Sequence, residues 1–228
     1  MRNKLLKKLE TTKLFWGKYL YKLCINNGIG HIFRDKNLSY VREVLDKLQQ
    51  QYESGEPLLI TSFSRETPVK ELSFLDARKL YKFLSKNDDY MLRIETSTVA
   101  VYSNNREWLH TLKSAINKNN LLELWEPNPD HLSQLNANTI IVDKDNGYGY
   151  KVTFGPKIAD TVGFANWAKN NEKQVRVGPT LMNNLERSGY VSDLYFYARD
   201  EKTLRLCELM LTNIRRVDKL VVKLDLDK

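Results

Sequence analysis

Cysteine is nearly missing from this chain. Two thiols, Cys24 and Cys207, stand among 228 residues, which excludes a disulfide framework and a complete zinc site. Long apolar runs are missing as well. None approaches the roughly 18 residues that cross a bilayer, so no integral membrane association is expected. The opening stretch, "MRNKLLKKLETTK", has neither the unbroken apolar centre nor the small-residue cleavage site of a signal peptide. A reducing cytoplasm is the expected compartment, that of a host if the protein is viral. No phosphate-binding Gly-x-x-x-x-Gly-Lys loop, dinucleotide fingerprint or nucleophile elbow occurs, and "NNGIGH" opens no helix after a strand. His31, His110 and His131 are scattered without paired spacing. No catalytic residue, metal ligand or cofactor is assigned, and a non-enzymatic protein is expected. Such a composition, without any standard metabolic motif, suits a phage or mobile-element accessory protein.

What the chain does hold is positive charge in one place. The formal net charge is +8. Residues 1–50 carry eleven Lys or Arg against four Asp or Glu, and residues 201–228 carry seven against five, so the stretch between is close to neutral. The field therefore belongs to the N-terminal segment, where Lys4, Lys7, Lys8 and Lys13 lie. It favours a polyanion, whether nucleic acid, an acidic protein or a membrane surface. A plainly solubilising lysine-rich end is the alternative. Leu5, Leu6 and Leu9 among these lysines predict either a short basic amphipathic helix or a terminus packed on its own domain.

Two short patterns recur in the same order. "YLYKLCI" from Tyr19 and "YGYKVTF" from Tyr148 share Tyr-x-Tyr-Lys before alternating apolar positions. "YSNNREWL" from Tyr102 and "YARDEKTL" from Tyr197 each set a strand-ending tyrosine seven residues before a helical leucine, Leu109 or Leu204; seven further come Ile116 and Leu211. These repeats predict an internal duplication. The elements read from periodicity give β-α-β-β-α-β in the second half, the ferredoxin-like pattern. The first half fits the same order, with an additional strand and helix inserted near residues 56–86 and Ser73 capping that helix. The expected class is thus α+β, with two tandem ferredoxin-like (βαββαβ) units. Residues 1–135 hold the basic segment and first unit, and 136–228 the second, joined through "EPNPDHLSQLNAN".

Side chains alternate across a strand, so faces follow from sequence. Tyr148, Tyr150, Val152 and Phe154, like Leu194 and Phe196, are expected toward the helices, leaving Lys151, Tyr195 and Tyr197 on the open side. In the first half Leu23, Ile25, Val99 and Val101 point inward, and Lys22 and Tyr102 outward. Neighbouring first and third strands place Lys151 beside Tyr197 and Lys22 beside Tyr102. Aromatic rings and cations on an open sheet are how RNA-recognition domains hold single strands, although "DLYFYARD" lacks the glycine of their consensus. Two readings follow. The chain binds single-stranded RNA or DNA through its basic segment and open faces, or those faces bury a protein partner or a second copy. A third, metal-dependent phosphoryl transfer, would use Asp143 and Asp145 of "IIVDKDNG" or Asp225 and Asp227; a hairpin turn explains the first pair equally simply.

Overall fold

The computed structural model describes residues 5–62, 65–156 and 161–223. The chain divides into two compact units, Met1–Thr11 with Lys18–Asn128, and Thr12–Gly17 with Pro129–Lys228. Both are α+β, each built on a five-stranded mixed sheet. No helix among the described residues is long and apolar enough to cross a membrane.

The first unit runs β1 (Lys7–Glu10), β2 (Tyr21–Asn26), α1 (Leu38–Ser54), a hairpin of β3 (Leu59–Ser62) and β4 (Arg65–Pro68), α2 (Glu71–Leu84), β5 (Tyr90–Glu95), β6 (Thr98–Ser103), α3 (Arg106–Ala115) and β7 (Leu121–Glu126). Its sheet has the order β1-β7-β2-β6-β5, with β1 parallel to β7 and every other pair antiparallel. Leu23, Ile25, Val99 and Val101 are fully buried toward the helices, as their alternation requires. Helix α1 starts where the Asn37 side chain accepts from the Tyr40 amide and stops at Gly55, whose φ of 73° suits glycine.

The second unit runs β8 (Thr139–Val142), β9 (Tyr150–Phe154), α4 (Val162–Asn170), β10 (Val175–Val177), α5 (Pro179–Glu186), β11 (Tyr195–Ala198), α6 (Glu201–Met210) and β12 (Ile214–Val222). The sheet order is β10-β11-β9-β12-β8, again with the leading strand, β8, parallel to the last, β12. Phe154, Phe164 and Phe196 form its aromatic core, with ring centroids 5.1–6.5 Å apart. Truncating any of the three to alanine would cost about 3–5 kcal/mol.

The two sheets match in detail. β2 lies between β6 and β7 as β9 lies between β11 and β12. Both sheets break register at the same point of the last strand, between Leu121 and Glu123 and between Ile214 and Arg216. Asn105 caps α3 through the Trp108 amide and Asp200 caps α6 through the Thr203 amide, each three residues after the tyrosine next to the end of its strand.

Four expectations are corrected. Residues 7–10 form a strand rather than part of an amphipathic helix, because the edge of β7 supplies hydrogen-bond partners that an isolated short helix lacks. The insertion holds a two-stranded hairpin, not one strand, ahead of its helix. That helix begins at Glu71 after Lys70, and Ser73 is buried in its first turn rather than capping it. Helix α5 interrupts the second unit where a plain strand-to-strand connection is expected; Gly178, Pro179 and the Leu181–Leu185 pair are its signals.

Candidate nucleic-acid interface

The helix-free face of the second sheet is built from two cross-strand rows. The first reads Arg176, Tyr197, Lys151, Asp218 across β10, β11, β9 and β12. The second reads Tyr195, Thr153, Arg216 across β11, β9 and β12. Tyr195 is 43% exposed. The Lys151 ammonium sits 3.8 Å from the Tyr195 ring centroid, a close cation–π contact. Tyr195 and Tyr197 meet edge to face at 5.6 Å, and Tyr148 lies 6.1 Å from Tyr197.

Four cations converge on this face against one carboxylate. Asp218 is wholly buried and accepts from Lys13 and from Arg216, each at 2.7 Å. Burial, followed by repulsion from Lys13 and Arg216, lowers the Lys151 pKa below that of an ordinary lysine, against attraction from Asp218. Burial and the neighbouring Tyr195 together raise the Tyr197 hydroxyl. An anion arriving beside Lys151 would relieve the crowding of like charge.

The first sheet repeats the rows with different contents. Met91, Tyr102, Lys22 and Trp125 form one, and Arg93, Ala100, Cys24 and Glu123 the other. Lys22 stands opposite Tyr102 as Lys151 stands opposite Tyr197. Tyr102 is nevertheless only 5% exposed, which corrects its expected place on an open stacking surface. Alternation assigned its face correctly, but the ring lies in register between the long side chains of Lys22 and Met91. Lys22 is held 3.6 Å from Glu123 and 5.2 Å from the Trp125 ring centroid. Glu123 also accepts from the Trp125 indole at 2.8 Å, and that bond leads the lowering of its pKa, opposed by partial burial and helped by Lys22. Where the second unit has exposed Tyr195, the first has Ala100, which is buried.

Of the residues expected to contact nucleic acid, Lys151, Tyr195 and Tyr197 come together, and Lys13 joins them through Asp218. Lys7 and Lys8 are exposed on β1, opposite Glu123 and Leu124. Lys4 lies outside the described residues, as do Asp225 and Asp227. Arg176 is the residue that sequence reasoning missed, although its place between Val175 and Val177 marks it as outward-facing.

Asp143 pairs with Lys223 at 2.6 Å, and Asp145 accepts from the Gly147 amide at 2.8 Å inside the turn. Asp145 therefore serves the turn, while Asp143 ties the end of β8 to Lys223 just after β12. His110 is half-buried and bonded to Glu126 at 3.0 Å, while His31 and His131 lie in short 3₁₀ turns. No group of three or more potential metal ligands occurs among the described residues. No protein-family model matches the chain, and neither curated proteins nor solved structures gave a match.

Proposed function

We propose that the chain is a duplicated ferredoxin-like protein that binds single-stranded nucleic acid through the second unit. The duplication is supported by the shared strand order, by the parallel leading strand in each sheet and by the register break at equivalent points. Set aside the leading strands, and each sheet reads fourth, first, third, second, the order of a ferredoxin-like sheet.

One observation carries the binding reading. The row of Arg176, Tyr197 and Lys151, with exposed Tyr195 beside it, offers ring faces and phosphate-neutralising cations on a surface without helices. Stacking a base on such a ring contributes roughly 1–3 kcal/mol and tolerates any sequence. The test is a fluorescence-anisotropy titration of a labelled single-stranded oligonucleotide, in DNA and RNA form, at several salt concentrations. Binding should exceed that of the same sequence as a duplex and weaken with salt. Equal affinity for duplex and single strand would contradict stacking.

A second reading, protein association, is favoured by a different surface. Helix α6 exposes Leu206, Leu209 and Met210, with Leu209 83% accessible. Light scattering of the native protein and of Leu209→Glu measures whether this stripe holds a second copy.

A further inference from the structure

At the β10 edge of the helix-free face of the second unit lies a cavity of about 400 Å³ bounded by Arg176, Tyr195 and Tyr197 of the strands and by Gly178, Pro179 and Thr180 at the start of α5. Its origin is a missing side chain. Arg176 stands opposite Tyr197 and Val177 opposite Phe196, so the next residue in register, Gly178, falls beside Tyr195. Strand β10 ends there. A Cβ built on Gly178 would meet no atom within 4 Å. Tyr195 therefore borders empty space on this side, while Lys151 already occupies one of its ring faces. A continuous run of bases stacked on both faces of the ring is excluded by that lysine. The volume is near the lower end of ordinary small-ligand sites, roughly 300–1,000 Å³, room enough for one nucleotide.

Resting on the single-strand reading above, we infer that this cavity takes one unpaired nucleotide. The base lies on the Tyr195 surface that lines the cavity, and the phosphate lies against the Arg176 guanidinium, a planar donor suited to it. The second unit thus grips a single base of the strand instead of a stacked run. Arg176 anchors it from the edge strand, and Tyr197 forms the wall between guanidinium and ring.

The experiment uses the full chain and three probes: a nucleoside 5′-monophosphate, the corresponding nucleoside, and a labelled single-stranded oligonucleotide. Gly178→Phe fills the cavity without backbone strain, because φ −68° and ψ 152° are open to any residue. Arg176→Gln removes the cation and keeps the strand. The monophosphate should displace the oligonucleotide, and the nucleoside should do so less well. Gly178→Phe should weaken the oligonucleotide by roughly 5- to 150-fold, the equivalent of one stacked base, and Arg176→Gln should bring monophosphate and nucleoside to equal affinity. Thermal unfolding confirms that each variant is folded, and either variant alone suffices. An oligonucleotide bound in a Tyr195-dependent way, yet indifferent to both variants and to monophosphate, overturns the single-nucleotide site and leaves the broader reading standing. Failure of the native protein to bind the oligonucleotide at all overturns both.

Discussion

A lysine opposite a tyrosine occurs on both sheets, and a single neighbour decides what the pair can do. Tyr195 gives the second sheet an exposed ring at this position, whereas the first sheet holds the buried Ala100 there. Tyr195→Ala should therefore lower single-strand affinity by roughly 1–3 kcal/mol with stability nearly unchanged. Tyr102→Ala should leave affinity unchanged and destabilise the fold by roughly 3 kcal/mol, near the low end for a buried aromatic; urea unfolding and anisotropy separate the two. Protonation of Lys151 adds a pH signature. Its pKa is lowered, so its charge is lost at lower pH than that of the surface lysines. Affinity should begin to fall on the alkaline side before general lysine titration, and Lys151→Ala should remove that early phase. An affinity that stays flat until all lysines titrate would deny Lys151 a contact. The thiols titrate in the opposite sense. Burial pushes Cys24 up to about 11 and Cys207 up to about 12. A raised thiol pKa stabilises the fold fully below the unfolded value of about 8.5, and that contribution is lost as pH climbs toward the folded values. Iodoacetamide at pH 8.5 should alkylate neither cysteine in native protein and both in denaturant, as read by mass spectrometry.

Among the elements, segment 12–17 has the most distinctive anchorage. The Thr12 carbonyl accepts from the Ile141 amide at 2.8 Å, and Lys13 bonds the buried Asp218 carboxylate. Asp218→Asn would leave Lys13 and Arg216 facing each other without their shared anion. Both cations are about one-third exposed and can partly resolvate, so the expected loss is about 1–3 kcal/mol, below that of a fully buried pair. Denaturant unfolding followed in the second unit measures it. The elements that could be read from sequence were those whose period is sustained. The two-residue period through Lys22 to Ile25 and Val99 to Tyr102 marks strands, and the stripe of Leu109, Leu112 and Ile116 marks a helix. β1 could not be read this way, since Lys-Lys-Leu-Glu has no strand character of its own and is a strand only through β7. The same limit applied to the site. Alternation placed Lys151 beside Tyr197 and Lys22 beside Tyr102, but coverage depends on neighbouring strands, so Tyr102's burial and the gap beside Gly178 were not legible.

For the molecule as a whole, charge and chain path matter most. The free face of the second unit gathers Lys151 and Arg176, with Lys13 and Arg216 shared by Asp218. Two to four phosphate contacts predict a slope of log affinity against log salt of about −1.5 to −3 for a single strand. A much steeper slope would assign the main contact to other lysines. The chain path adds a temporal constraint. Residues 12–17 belong to the second unit although the chain on either side of them belongs to the first. Lys13 and Asp218 are 205 positions apart. On a ribosome adding about 5–20 residues per second, Lys13 waits roughly 10–40 s for its partner. Co-translational folding of the second unit therefore cannot finish until the last strand has left the exit tunnel, and a nascent chain arrested before β12 should be cut by trypsin at Lys13 while the released protein resists.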